Sequence, residues 1–370
     1  MTDYARVMRL DCSTNPLGGG MAFVQPEYTR GQVRRAGEAL RRDPPDEVEL
    51  AREMPVITNW RAAHAYPLNT FQATLRQKLS NLGSSSRGSL VGQRLKRLPS
   101  IEAKLKRFAT MNLERMQDIA GLRAVVPGIA GLRNLHRSYL RARFSHQLRS
   151  AHDYVEIPKE DGYRSIHLVY RYEKNYVSPY DGLFVELQMR TRLQHSWATA
   201  VETVDIFANQ AIKAGRASPE WGEFFKLASA AFAINEGCAP PTEYVGLSAK
   251  DIRARLIAAD QPMNALVRLR AFAVAANHIQ RLGRSTADYH LVILDTDRRR
   301  LTVQPFSMDQ LDQATIEYAN AERRAAKGEP IDAVLVAGGN IDQLRKTYPN
   351  YFLDATRFIA DVYALQAARP

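Results

Sequence analysis

The chain has 370 residues, 45% hydrophobic and 24% charged, with 51 Lys and Arg against 39 Asp and Glu, a formal net charge of +12. Two cysteines, Cys12 and Cys238, supply neither a disulfide framework nor a zinc ligand set. No apolar run could span a bilayer or form a signal-peptide core, so a cytoplasmic chain with no membrane partner is expected. The positive excess favours an anionic partner: nucleotide, nucleic acid or an acidic protein.

The length suits two or three domains. From 28 to 42 the sequence reads as a basic helix, with Arg30, Arg34 and Arg35 near its start. Arg30 and Arg34 share one helix face, a candidate RNA-phosphate contact as well as an ordinary solvated surface. Asp43, Pro44 and Pro45 end it, and helices are expected over 57–65 and 70–82, separated near Pro67. Residues 83–92, GSSSRGSLVG, read as a flexible loop. Arg94 and Lys96 follow, and Pro99 and Ser100 open a helix carrying Lys104. Cations delivered onto a helix start suit phosphate binding.

A buried strand is expected over 119–126, with Asp118 before it and Arg123 inside it, then an amphipathic helix over 129–143. Two strands with period-2 alternation are expected at 165–172 and 183–190, joined by a loop holding Pro179, Asp181 and Gly182. The second strand places Glu186, Gln188 and Arg190 on one face, because strand side chains repeat every second residue. A buried charge is costly unless paired or bound to a metal, so this face is expected to hold a polar ligand or an ion. After 191 a helix carries His195 and Glu202, and another runs from 218 to about 235. The stretch 237–242, GCAPPT, reads as a linker. Beyond it lie a capping box at Ser248 and Asp251, a long helix opened by Pro262, a hairpin at 289–294 and 301–306, a helix over 309–327, a strand at 333–337 and a helix over 352–367. This second unit shows no cluster of catalytic residue types.

The polar residues form a coherent set. Arg94, Lys96, Lys104 and Arg123 are cations for a polyphosphate, Asp118 and Glu186 are two carboxylates able to share Mg²⁺, and Tyr163 is a ring for stacking on a base. This is the inventory for pyrophosphoryl transfer to a hydroxyl.

Four segments, RLK at 94–96 with SIEAKL at 100–105, DIAGLR at 118–123, PKEDGYRSIH at 158–167 and ELQMRT at 186–191, resemble in order and spacing the synthetase domain of the RelA/SpoT family. The resemblance implies an α/β (α+β) fold, a mixed β-sheet flanked by helices, plus a small α+β C-terminal domain with a β-hairpin. It implies that ATP donates its β,γ-pyrophosphate to a ribose 3′-hydroxyl. Arg94 and Arg123 would sandwich adenine, with Ser100, Lys96 and Lys104 on the rest of the ATP. Asp118 and Glu186 would hold Mg²⁺, Glu186 also activating the hydroxyl. Tyr163 would stack on the acceptor base, with Lys159, His167, Gln188 and Arg190 around the acceptor.

No HD-type dyad appears among the ninety or so residues before the match, so alarmone hydrolysis is not expected. The organisation expected is a basic helical region at 1–65, the synthetase domain at 66–236 and a regulatory domain at 243–370. The last resembles the C-terminal region of fused toxin–antitoxin (CapRel-like) members, where Tyr348 and Tyr351 would block the nucleotide site until a phage capsid protein releases them. That likeness implies the 3′ end of tRNA as acceptor, in a translation-blocking toxin of anti-phage defence. The alternatives are an alarmone synthetase acting on GDP or GTP and an inactive sensor; DNA is not an expected partner.

Overall fold

The computed structural model describes residues 23–96, 98–142, 144–174, 176–207, 218–281, 289–295, 298, 300–327, 329–337 and 351–367. Helix α1 (Arg30–Arg41) opens on a capping box between Thr29 and Gln32, and its buried Val33, Ala36, Gly37 and Leu40 recur at helical spacing. Helix α2 (Glu47–Ala63) starts at Asp46, whose carboxylate accepts from the Val48 and Glu49 amides, and it contains Pro55. Helix α3 (Ala65–Asn81) follows after His64, so the break falls there and not near Pro67. Pro67 lies in the first turn of α3, where no intrahelical N–H bond is needed.

The expected loop at 83–92 is a short 3₁₀ turn at Gly83–Ser86 and then a strand, β1 (Leu90–Leu95). After α4 (Leu98–Arg107) come β2 (Ala120–Val126), α5 (Ile129–Leu140), β3 (Gln147–Asp153), β4 (Ile166–Arg171) and β5 (Phe184–Thr191). These make one mixed sheet in the order β1-β2-β5-β4-β3, with β2 and β5 parallel and the other pairs antiparallel. One face is apolar: Leu122, Ala124, Leu168, Tyr170, Leu187 and Met189 bury against Phe71, Leu75, Leu132 and Leu135 of α3 and α5. The opposite face carries the polar residues.

Helices α6 (Arg192–Phe207), α7 (Pro219–Asn235), α8 (Ala249–Met263) and α9 (Ala265–Arg281) follow. Pro262 ends α8 rather than opening α9; the break is Asn264, in the left-handed region at φ 48°. Strands β6 (Tyr289–Asp295), β7 (Arg300–Phe306) and β8 (Ile331–Ala337) form a second, antiparallel sheet in the order β7-β6-β8, with α10 (Leu311–Ala326) between the last two and α11 (Tyr351–Ala367) closing the chain. Among the described residues no helix is long and apolar enough to cross a membrane.

Apolar packing divides the chain in its own way. One cluster runs from Val33 of α1 through Trp60 of α2 to the sheet, with no gap at residue 65. A second joins Tyr163 and Trp197 to α7, α8, α9 and α11, and so spans the stretch at 237–242, and a third, smaller one holds Leu291, Phe306 and Ala314. Phe358 of α11 meets Phe224, Phe225 and Phe232 of α7 at ring-centroid distances of 6.3, 5.7 and 5.6 Å.

Candidate active site

Register builds the polar face. Glu186, Gln188 and Arg190 alternate along β5, as the period of the strand requires. Across the sheet, His152 of β3 stands opposite His167 of β4, which stands opposite Gln188; Gln188 in turn pairs with Arg123 of β2, and Arg123 with Gly92 of β1. The next row brings Val169, Glu186, Gly121 and Arg94 together. Arg94 and Arg123 are therefore diagonal neighbours, each facing a glycine. A Cβ at Gly92 would meet nothing within 4 Å, and the aliphatic stem of Arg94 already lies against Gly121.

Five side chains close a ring of hydrogen bonds. Nδ1 of His167 lies 3.1 Å from Glu186 Oε1, and its Nε2 lies 2.8 Å from the Tyr163 hydroxyl. Arg190 donates to that hydroxyl at 2.6 Å and to Gln188 Oε1 at 3.3 Å, while the Gln188 amide donates to Glu186 Oε2 at 2.9 Å. Arg123 also reaches Gln188 Oε1, at 3.4 Å. Burial pushes the Glu186 carboxyl up, but the His167 hydrogen bond and charge, with the Gln188 bond, hold it below the usual range. Burial likewise pushes the Tyr163 phenol up, and Arg190 and His167 overcome it, bringing it down to about 7.

The second charged group sits at the start of β2. Asp118 pairs with Lys96 at 2.8 Å and with Lys104 of α4 at 2.9 Å. Burial raises its carboxyl, and the two lysines more than reverse that and leave it depressed. The backbone fixes this corner as well, since the Lys96 amide donates to the Ile119 carbonyl at 2.7 Å. Asp118 adds a repulsive charge at Glu186, so the two carboxylates sense one another across the face. Ser100 is exposed in the first turn of α4.

Tyr163, expected to stack on the acceptor base, is largely buried among its neighbours. It is 8% exposed, Lys159 Nζ lies over its ring at 5.2 Å and the Arg190 guanidinium at 5.1 Å, and Trp197 meets it edge-on. The loop that carries it is clamped from behind. Gly162 has φ +88°, a Cβ there would approach α7 to 3.2 Å, and Ser229 of α7 donates to the Gly162 carbonyl at 2.5 Å.

The structure also shows partners that no local pattern marks. Glu236, just after α7, accepts from Arg164 at 2.7 Å and from Gln194 at 3.1 Å, and the Thr191 hydroxyl donates to its other oxygen. Arg164 and Thr191 directly follow Tyr163 and Arg190, so this buried carboxylate anchors two members of the ring from behind. Its sequence separation of 72 residues from Arg164 leaves no motif to read.

The expected RNA-binding arginines divide. The Arg30 guanidinium is committed to the fold: it donates to the Gly182 carbonyl at 3.0 Å and lies 5.9 Å from the Trp60 ring. Arg34 is 4.0 Å from Glu114, and Arg35 is exposed. Tyr348 lies outside the described residues, and so does the Tyr351 side chain at the start of α11.

Residues 93–207 match the family model described as "Region found in RelA / SpoT proteins". All the ring residues, together with Arg94, Lys96, Lys104, Asp118 and Arg123, fall inside this matched stretch. GTP pyrophosphokinase YjbM of Bacillus subtilis is 37% identical over 108 residues, which cover 29% of this chain and 51% of that protein. The uncharacterized protein Rv1366 of Mycobacterium tuberculosis is 29% identical over 180 residues, 48% of this chain and 59% of that protein. The chain thus spans little more than half the length of these curated relatives. Among solved structures, small alarmone synthetase 1 of Bacillus subtilis bound to its product pppGpp is similar at 26% identity and a TM-score of 0.41, covering 47% of this chain and 89% of that one.

Proposed function

We propose that the protein is a pyrophosphokinase that moves the β,γ-pyrophosphate of ATP to a ribose 3′-hydroxyl. The observation that carries this reading is the pairing of a held carboxylate, Glu186 in its ring, with the Asp118–Lys96–Lys104 group on the same sheet face. In the reaction the bond between the α-phosphorus and its bridging oxygen to the β-phosphorus stays with AMP's side of the cleavage: the β-phosphorus–bridging-oxygen bond opens, the 3′-oxygen bonds to the β-phosphorus, and AMP leaves with the bridging oxygen. Glu186 accepts the hydroxyl proton, and His167 and Gln188 hold its two oxygens in place. Lys96 and Lys104 offset the negative charge on the phosphates. Arg94 and Arg123, each facing a glycine, flank a planar adenine.

Mg²⁺ fits this reading. It is commonly held by one or two carboxylates and completed by substrate phosphates and water, and Asp118 and Glu186 supply such a pair. Among the described residues no group of three or more His, Cys, Asp and Glu side chains could hold a metal alone, so phosphates would complete the shell. Bound there, the ion would neutralise phosphate charge and increase the acidity of the acceptor hydroxyl.

For the acceptor we propose the 3′ end of tRNA. The net charge of +12 supports this, since affinity for nucleic acid rests largely on phosphate contacts. A second reading, GDP or GTP as acceptor, is favoured by the name of the Bacillus relative, a GTP pyrophosphokinase. The resemblance to fused toxin–antitoxin proteins extends the first reading: the region after 243 restrains the enzyme, and a phage capsid protein releases it. The test is to incubate the full chain carrying Tyr348→Ala and Tyr351→Ala, which lifts the proposed restraint, with γ-labelled ATP and deacylated tRNA, GDP or GTP. Label in tRNA is expected. Label in guanine nucleotides alone would overturn the tRNA reading, and label in no acceptor from a folded, ATP-binding protein would overturn the transferase.

A further inference from the structure

The row that runs across the polar face does not stop at His167. Its outermost member is His152, on the edge strand β3, and the His152 ring lies parallel to that of Tyr154, with centroids 5.7 Å apart and planes 9° apart. His152 is exposed and Tyr154 half-buried. Tyr154 in turn meets His167 edge-on at 5.4 Å and Tyr163 at 6.1 Å, so the stack abuts the ring that holds Glu186. Lys159 is exposed, and its Nζ lies 4.6 Å over the Tyr154 ring. With neighbouring strands about 4.8 Å apart, His152 stands one strand from His167 and roughly 10 Å from β5.

We propose that His152 and Tyr154 form a stacking platform for an unpaired base next to the acceptor nucleotide, so that the protein takes the single-stranded 3′ end of an RNA. The inference deepens, and rests on, the reading of tRNA as acceptor. Three observations converge on it. Tyr163 is covered by two cations and by Trp197, so the exposed aromatic surface along this row belongs to His152. Every base has a π-face, and single-stranded RNA is held by stacking on aromatic rings beside cations that meet its phosphates. Lys159 stands next to the stack to supply such a cation. An edge strand needs no parallel His–Tyr pair for its own hydrogen bonding, which β4 already supplies.

The test measures binding by the full chain at pH 8 and fixed salt, with two fluorescent hairpin RNAs that share a stem, one ending in a single-stranded CCA and one blunt. The wild type is expected to bind the overhang about tenfold more tightly, equivalent to about 1.4 kcal/mol and within the range of one base–aromatic stack. His152→Ala should abolish most of that preference without changing the salt dependence, the affinity for ATP or the thermal midpoint. His152→Trp should retain it. Equal binding of the two RNAs by the wild type would overturn the platform, as would a preference that survives His152→Ala. A salt slope that falls in His152→Ala would overturn stacking as the cause. If the overhang preference depends on His152 while pyrophosphate goes only to guanine nucleotides, the acceptor reading fails and the platform stands as an RNA site. The two failures are thus separable.

Discussion

Replacing Glu236 probes how the polar face is held from behind. Its side chain is 6% exposed and that of Arg164 is 2% exposed, with the ion pair at 2.7 Å. Glu236→Ala leaves the Arg164 guanidinium buried without its counter-charge, and breaking a buried pair from one side costs about 3–5 kcal/mol. That is a large part of a typical total stability of about 5–15 kcal/mol. Arg164→Ala should cost a similar amount, because the Glu236 carboxylate would keep only Thr191 and Gln194 as donors. Replacing both with apolar residues of similar volume, Arg164→Met with Glu236→Leu, should cost much less than the sum, since no lone charge remains. The assay is urea unfolding followed by tryptophan fluorescence, because Trp197 and Trp221 are buried in the adjoining cluster. Arg164 follows Tyr163 and Thr191 follows Arg190, so the single variants should also lose transfer activity below their unfolding transition. Single variants within about 1 kcal/mol of wild type, where ordinary surface changes fall, or a double variant equal to the sum, would refute the reasoning.

Three further outcomes follow from particular contacts. His64 is fully buried, with Nδ1 2.7 Å from the Trp60 carbonyl, and burial above all lowers its pKa to about 4. Between the unfolded value near 6.5 and that folded value only the unfolded chain binds the extra proton, so stability should drop as pH is lowered through this window, by up to about 1.4 kcal/mol per unit, and His64→Gln should flatten the drop. An identical pH profile for the variant would contradict this. A 1–240 truncation removes Phe358 from Phe224, Phe225 and Phe232, and should aggregate or bind a hydrophobic dye instead of being simply a released enzyme; a monodisperse, stable fragment would show that α11 is dispensable. Arg34→Ala with Arg35→Ala should weaken tRNA binding and reduce its salt slope by about one for each phosphate that α1 no longer neutralises, with Arg30 left in place because it holds Gly182. An unchanged slope would remove α1 from the RNA surface.

What could be read from sequence depended on whether a local period survives. Strands β4 and β5 alternate cleanly because one face is core and the other polar, and that alternation put Glu186, Gln188 and Arg190 together correctly. Strand β1 was hidden: it follows a Gly/Ser run, contains Gly92, and lies at the sheet edge with neither face deeply buried. Strand β3, at the other edge, is mostly exposed and carries no apolar alternation. Pro67 and Pro262 misled because proline is tolerated in a first turn and here also near a helix end, while the breaks fell at His64 and Asn264. Segment order singled out Lys96, Lys104 and Asp118, but their ion pairs were not read from it, because the lysines read as phosphate ligands and Asp118 as a metal ligand. The link between Glu236 and Arg164 had no such signal, because it depends on how α7 packs behind the loop at Gly162. Tyr163 shows the same limit: its residue type invites stacking, yet tertiary packing covers its ring.

The central claim is that this sheet face transfers pyrophosphate with Glu186 as the proton acceptor, and Glu186→Gln tests it most directly. The substitution preserves shape and an oxygen for His167 but removes the charge. AMP formation from ATP, measured with saturating acceptor and set against the wild type, should fall by about 10²–10⁴-fold, the usual contribution of a positioned base, while the unfolding midpoint stays close to that of the wild type. Near-normal AMP formation by the folded variant would contradict the account.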